Sequence, residues 1–218
     1  YCSLNTSFGE TNGGGLSLER ISLFEAISCV FENHVSTQHG GVLYSDDSFK
    51  VILSNCYFLH NYADSGGAVY VQGFVASSFV LIMGSHFLNN TSFQAGGSLM
   101  LAKLANLKVL YTSFRSNTAN YGDGGCIYLE RVRDARAEFT TFYEAKAVFS
   151  HGGSIFVIRT HMLNISSCKY RHCTAAQSGG AVMASEVSSV SIISTPFSLC
   201  SSETSGGAIQ VSNIKRYT

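Results

Sequence analysis

The side chains of this chain that could do chemistry are few, and most stand apart from one another. Glycoside cleavage needs two carboxyl groups about 5–10 Å apart, and the chain offers five aspartates, Asp46, Asp47, Asp64, Asp123 and Asp134. Asp46 and Asp47 are neighbours and would point to opposite faces of a strand. Asp64 and Asp123 each stand just ahead of a glycine pair, where turns favour Asp for its own hydrogen bonding. The seven histidines (His34, His39, His60, His86, His151, His161 and His172) show no close ligand spacing, and no two fall in one repeat column. A zinc-type site is therefore not expected. There is no dinucleotide-binding Gly-x-Gly-x-x-Gly, no phosphate-binding Lys after the glycines and no Gly-x-Ser-x-Gly elbow. Glu130, Arg131, Arg133, Asp134, Arg136 and Glu138 make the one dense charge cluster. It is expected in an outer loop, as a solvated turn or a docking point for another chain. Catalytic, cofactor-binding and metal residues are accordingly expected to be none.

The cysteines differ from this scatter. Cys2, Cys29 and Cys56 follow one another at intervals of 27, as do Cys173 and Cys200, while Cys168 and Cys126 stand alone. What such thiols could do depends on the elements that carry them.

Those elements repeat. Glycine pairs occur at Gly13-Gly14, Gly40-Gly41, Gly66-Gly67, Gly96-Gly97, Gly124-Gly125, Gly152-Gly153, Gly179-Gly180 and Gly206-Gly207. Successive steps are 27, 26, 30, 28, 28, 27 and 27 residues. Random placement of the glycines would give about two pairs and no constant spacing. Two residues beyond each pair sits an aliphatic side chain: Leu16, Leu43, Val69, Leu99, Ile127, Ile155, Val182 or Ile209. The next residue varies and the one after is again mostly apolar, which is the period of a strand with one buried face. A second apolar run leads to an aromatic column of Phe31, Phe58, Phe87, Phe114, Phe142, Tyr170 and Phe197. Three residues later comes a mixed column of His34, Asn61, Asn90, Asn117, Ala145, Cys173 and Cys200.

Each unit thus holds two or three short strands and has no room for a helix as well. Parallel strands need a connection of a dozen residues or more, and a 27-residue coil supplies it by going once around. The expected fold is all-β, a right-handed parallel β-helix of about eight coils with ~27 residues per coil, running as a single domain over residues 1–218. Phe rings would stack inside it, Asn amides would hydrogen-bond up their column, and the glycine pairs would form tight corners.

Composition agrees with a repeat protein that works outside the usual charged-surface regime. Charged residues are 13% of the chain and hydrophobic ones 45%, with zero formal net charge. No basic patch is available to neutralise phosphates, so nucleic acid is not an expected partner. No apolar run reaches the length of a membrane span, and no signal peptide is visible. The first residue is Tyr1, so the chain reads as a mature fragment or a segment of something longer. It begins and ends within a repeat, so either more coils continue or another subunit stacks there.

Phe58-Leu59-His60-Asn61 followed by Gly66-Gly67-Ala68-Val69-Tyr70 resembles the repeat of the chlamydial polymorphic outer-membrane proteins. Phe114, Asn117 and Gly124-Gly125-Cys126-Ile127-Tyr128 match it closely too. The resemblance covers nearly the whole chain and implies a right-handed parallel β-helix with a role in adhesion or surface structure. His34, Ala145, Cys173 and Cys200 depart from the motif Asn, and no autotransporter barrel is present.

Equivalent residues of adjacent coils lie about 4.8 Å apart, within reach of a disulfide. A Cys173–Cys200 bond is expected, with Cys29 bonded to Cys2 or Cys56. Asn-x-Ser/Thr acceptors occur at Asn5, Asn89, Asn90 and Asn164. Asn90 should point inward, leaving Asn89, Asn164 and Asn5 as the glycosylation candidates in a eukaryotic source. The expected role is a non-enzymatic extracellular or cell-surface glycoprotein, a spacer rod, adhesive module or filament subunit, whose partners are other protein chains. The alternative is a carbohydrate-binding or polysaccharide-degrading β-helix, which the lack of Trp and the scarcity of acids disfavour.

Overall fold

A computed structural model describes residues 2–74 and 77–214. It is a parallel β-solenoid of about eight coils, with ~27 residues per turn and no helix among the described residues. Hence no helix of the described residues is long and apolar enough to cross a membrane.

One turn of the chain visits four sheets. In the third coil these visits are Tyr57–Leu59 in sheet A, Tyr62–Ala63 in sheet B, Val69–Gln72 in sheet C and Phe79–Met83 in sheet D. Every strand pairs in parallel with its equivalent one coil away, giving among the described residues three eight-stranded sheets and one, sheet D, of seven. The expectation of two or three strands per unit is corrected to four. The strand of sheet B was hidden because two residues are too few to show a period.

Sequence dictates the inner face column by column. Val69 and Val71 point inward from sheet C with Tyr70 between them, and Val80 and Ile82 do the same from sheet D. The aromatic column fills sheet A's side of the interior. Phe58 and Phe87 stack at 4.6 Å with 2° between their planes, and Phe114–Phe142 and Phe142–Tyr170 continue at 5.0 and 4.6 Å. Offset stacks of this kind add to the burial energy of each ring.

Every coil turns four corners, and nearly all of those among the described residues hold a residue in the left-handed region. The glycine pairs take the B-to-C corner, where the first glycine of each has φ between 62° and 72°. Why glycine here is shown by Gly66 and Gly67. A Cβ on Gly66 would lie 2.4 Å from the Val69 carbonyl oxygen, and one on Gly67 would lie 2.2 Å from the carbonyl oxygen of Gly97 in the next coil. The other corners use ordinary residues. His60, Asn89, Ser116, Glu144 and Leu199 turn from A to B, Asp47, Lys103 and Arg131 from C to D, and Asn55, Tyr111 and Phe139 from D to A, all at positive φ. Each such residue carries a strain of about 1 kcal/mol, offset by its N–H bonding to the next coil, as in His60 to Leu88 at 3.0 Å.

Candidate functional site

The side chains with chemical potential gather in two columns of the interior. In the first, amides bond up the stack. The backbone N–H of His34 donates to Asn61 Oδ1 (2.9 Å), that of Asn61 to Asn90 Oδ1 (3.1 Å) and that of Asn90 to Asn117 Oδ1 (2.9 Å). Asn90 Nδ2 also donates to the Phe58 carbonyl and to Asn117 Oδ1, at 2.9 and 3.1 Å. The column thus converts a buried polar row into satisfied hydrogen bonds, as a water-excluded interior requires. Beyond Asn117 it meets Ala145, which carries no acceptor.

At its other end the column is His34, which is buried. Its Nε2 donates to the Leu4 carbonyl at 2.9 Å, and the Ser7 hydroxyl lies 2.5 Å from Nδ1. Burial lowers the His34 pKa, opposed by the Leu4 hydrogen bond, and burial lowers His39 too, opposed by the Asp64 carboxylate. A base depressed in the folded state holds its full contribution above the unfolded value, near 6.5, and loses it as pH falls below that. Melting temperature is therefore expected to drop between about pH 7 and pH 5. In His34→Asn, which continues the amide column, that acid-side drop should shrink. An unchanged drop by thermal denaturation would remove His34 from the account.

The second column lies two residues before the aromatic one. It runs Cys2, Cys29, Cys56, Ser85, Thr112, Thr140, Cys168, Thr195. Cys56 donates toward the carbonyl two residues back, Ser54, at 3.2 Å and toward Ala26 of the preceding coil at 3.3 Å. Ser85 has the same two partners in its own frame, Met83 at 3.1 Å and Leu53 at 3.4 Å, and Thr140 has Glu138 at 2.9 Å and Val109 at 3.4 Å. In return, the Cys56 N–H donates to Ser85 Oγ at 3.1 Å. Thiol and hydroxyl are interchangeable in this slot.

That equivalence gives Cys29 and Cys56 a role that needs no disulfide. All seven cysteines are free thiols in the structure, in place of the expected Cys173–Cys200 bond and the bond from Cys29 to Cys2 or Cys56. Cys29 and Cys56 each have a hydrogen-bonding task that Ser and Thr perform elsewhere. Burial pushes their thiols up, and it pushes Cys168 up to about 11 and Cys126 higher still. The signal that could have revealed the slot was the register of Ser85, Thr112, Thr140 and Thr195 with the cysteines.

The acids are engaged locally. Asp64 Oδ1 accepts from Gln94 Nε2 of the next coil at 3.3 Å, and Asp123 Oδ1 accepts from the Ser150 hydroxyl and from the His151 N–H (2.9 Å). Both tie their loop to the following one. Asp46 likewise accepts from Gln72 at 3.3 Å, and Asp47 occupies a corner.

The charge cluster is not an outer loop. Glu130 ends the sheet C strand Ile127–Glu130, Arg131 and Arg159 are corner residues, and Asp134–Glu138 is a sheet D strand. Arg159 bridges Glu130 (3.3 Å) and Glu186 (3.7 Å), while Arg136 pairs with Asp134 at 2.8 Å. The Arg159 pairs join adjacent coils, whereas Arg136–Asp134 stays within one strand, and all bring small energetic gain. Arg133 precedes the Asp134–Glu138 strand, its N–H bonded to the Leu104 carbonyl.

The histidines also need correction, because two pairs do share columns. His60 and His172 occupy equivalent A-to-B corners, and His39 and His151 both directly precede a glycine pair. Each pair is four coils apart, too far for a common ligand. Among the described residues no group of three His, Cys, Asp or Glu side chains is placed to hold a metal ion.

Of the glycosylation candidates, Asn5 and Asn89 are exposed and Asn164 is half-buried on the outer face of sheet D. Asn90 is fully buried, its amide committed to the column. Outward aromatics form short stacks of their own. Tyr111 and Phe139 lie 4.9 Å apart at 4°, and Tyr121 and Phe149 lie 5.3 Å apart at 19°. Their faces are turned toward each other. The outer face of sheet D instead carries a patch of Ile27, Ile52, Leu81, Met83 and Leu110 with Glu25, Lys108 and Arg136 at its border.

No protein-family model, curated protein or solved structure matches this chain.

Proposed function

We propose that the chain is a non-enzymatic extracellular or cell-surface module, a stiff β-helical rod that presents its outer faces to other protein chains. One observation carries this reading: what repeats from coil to coil is inward, and the outer columns vary. Carboxylates that would be needed for polysaccharide cleavage are spent on holding one loop to the next. The outward ring faces that would stack on a sugar are turned to one another along the rod, which favours protein partners over glycans. The apolar patch on sheet D, with charges of both signs at its edge, suits a protein surface. Exposed acceptors at Asn5 and Asn89 accord with an extracellular setting.

The test uses beads coated with the purified chain, on cell-surface and matrix-protein layers, beside lyase and hydrolase assays on acidic polysaccharides. Adhesion that is lost in Leu81→Asp, with an unchanged melting temperature, supports the reading. Release of unsaturated or reducing sugar would overturn it.

A further inference from the structure

Three of the seven thiols, Cys126, Cys173 and Cys200, stand outside the hydrogen-bonding slot shared with Ser and Thr, and the last two share a column. Strand pairing sets Tyr170 against Phe197 and Arg171 against Ser198, so Cys173 lies across from Cys200 on adjacent coils. The Ser201 N–H closes the rung on the Cys173 carbonyl at 3.0 Å. Sheet spacing then puts their Cα atoms about 4.8 Å apart, inside the span of a disulfide. They hold the positions that Asn90 and Asn117 hold lower in the same column, so Cys200 sits where an acceptor is required. The Cys200 sulfur occupies that place, its thiol directed to the Ser198 carbonyl at 3.5 Å, while the Cys173 thiol is directed to the Arg171 carbonyl at 3.5 Å.

We propose that Cys173 and Cys200 form a redox-active dithiol that closes to a disulfide across adjacent coils, with Cys200 as the attacking sulfur. The oxidant is a low-molecular-weight disulfide. The Cys200 thiolate attacks one of its sulfurs, the S–S bond breaks, and one small thiolate leaves and takes up a proton. The Cys173 thiol then loses its proton and attacks the Cys200 sulfur of the mixed disulfide, expelling the second small thiol. Two protein thiols are oxidised and one small disulfide is reduced to two thiols.

The assignment of roles follows from the surroundings. Cys173 is buried and Cys200 half-buried. The neighbouring Cys173 thiol lowers the Cys200 pKa, whereas the same contact and burial push Cys173 up. Cys126 has Ser98 and Ser154 as its equivalents in the adjoining coils, so it has no partner sulfur in its own column.

The reduced chain is incubated with oxidised glutathione, blocked with iodoacetamide at intervals and mapped as non-reduced peptides. The Cys173–Cys200 link should form at least about tenfold faster than any link among Cys2, Cys29 and Cys56. Cys173→Ala, which repeats the residue already present at Ala145, should trap glutathione on Cys200, and Cys200→Ala should leave Cys173 unmodified. Should Cys173→Ala fail to fold, pulsed alkylation of the native chain must still label Cys200 before Cys168. Recovery of Cys173 and Cys200 as free thiols while other cysteines oxidise would overturn the proposal, as would an adduct on Cys173 in Cys200→Ala.

Discussion

Gly97→Ala is expected to prevent the chain from folding, or to destabilise it by more than about 4 kcal/mol, for the sake of a single methyl group. The backbone of Gly97 lies outside the left-handed region, so no conformational preference is broken. The methyl instead meets the Gly125 carbonyl oxygen at 2.1 Å and the Thr118 carbonyl carbon at 2.6 Å, both backbone atoms of the next coil. Relief would require two coils to part and lose the bond from the Gly97 N–H to Gly124, 3.0 Å. Ser98→Ala, one residue on, should do the opposite. The Ser98 hydroxyl is buried without a partner, and its equivalents in other coils are Ala68, Ala181 and Ala208. Its removal should leave stability unchanged or raise it by about 1 kcal/mol. Urea denaturation followed by circular dichroism reads both.

Asn90→Ala has the second large effect. The side chain accepts from the Asn61 N–H and from Asn61 Nδ2 (2.9 Å), and donates to Phe58 O and Asn117 Oδ1. Removing it strips the Asn61 N–H of its side-chain acceptor and the Phe58 carbonyl of a donor, while Asn61 Nδ2 keeps only the Phe31 carbonyl (3.3 Å) and Asn117 Oδ1 only the Asn90 N–H (2.9 Å). At 1–3 kcal/mol for each buried group that loses its partner, a loss of about 3–5 kcal/mol is expected, a large share of the whole stability of a domain. Asn117→Ala should cost less, since the column stops at Ala145. The double variant should lose less than the sum of the two, because the Asn90–Asn117 bonds are counted in both. Strict additivity in urea midpoints would mean that the amides do not act as a column.

Much of this was legible in the residues, for a physical reason. A solenoid stacks like on like, so inward positions are under one constraint in every coil and show themselves as columns: Phe58 over Phe87, Asn61 over Asn90, Val69 over Leu99. Corners were legible only where a Cβ is sterically barred, as at Gly67. The remaining corners place a left-handed residue in solvent, where Glu144, Lys103 and Tyr111 serve equally, so no common residue type marks them. The sheet D strand Asp134–Glu138 has the sequence of a charged loop. Its Ala135 and Ala137 point inward and its charges outward, and strand formation there is imposed by Leu107 and Leu163 on either side rather than by local preference. The cysteines misled in a different way. Following sulfur alone concealed that Ser85 and Thr112 share the slot of Cys56.

The whole account depends on equivalent residues standing directly above one another. Spin labels on ketone-bearing unnatural residues at positions 57 and 169 test this, since Tyr57, His86, Ser113, Thr141 and Lys169 are successive partners in sheet A. Four coil steps predict a backbone separation of about 19 Å, read as one narrow distribution once the label arms are allowed for. A broad distribution, or one centred beyond about 30 Å, would contradict the winding and every column built on it.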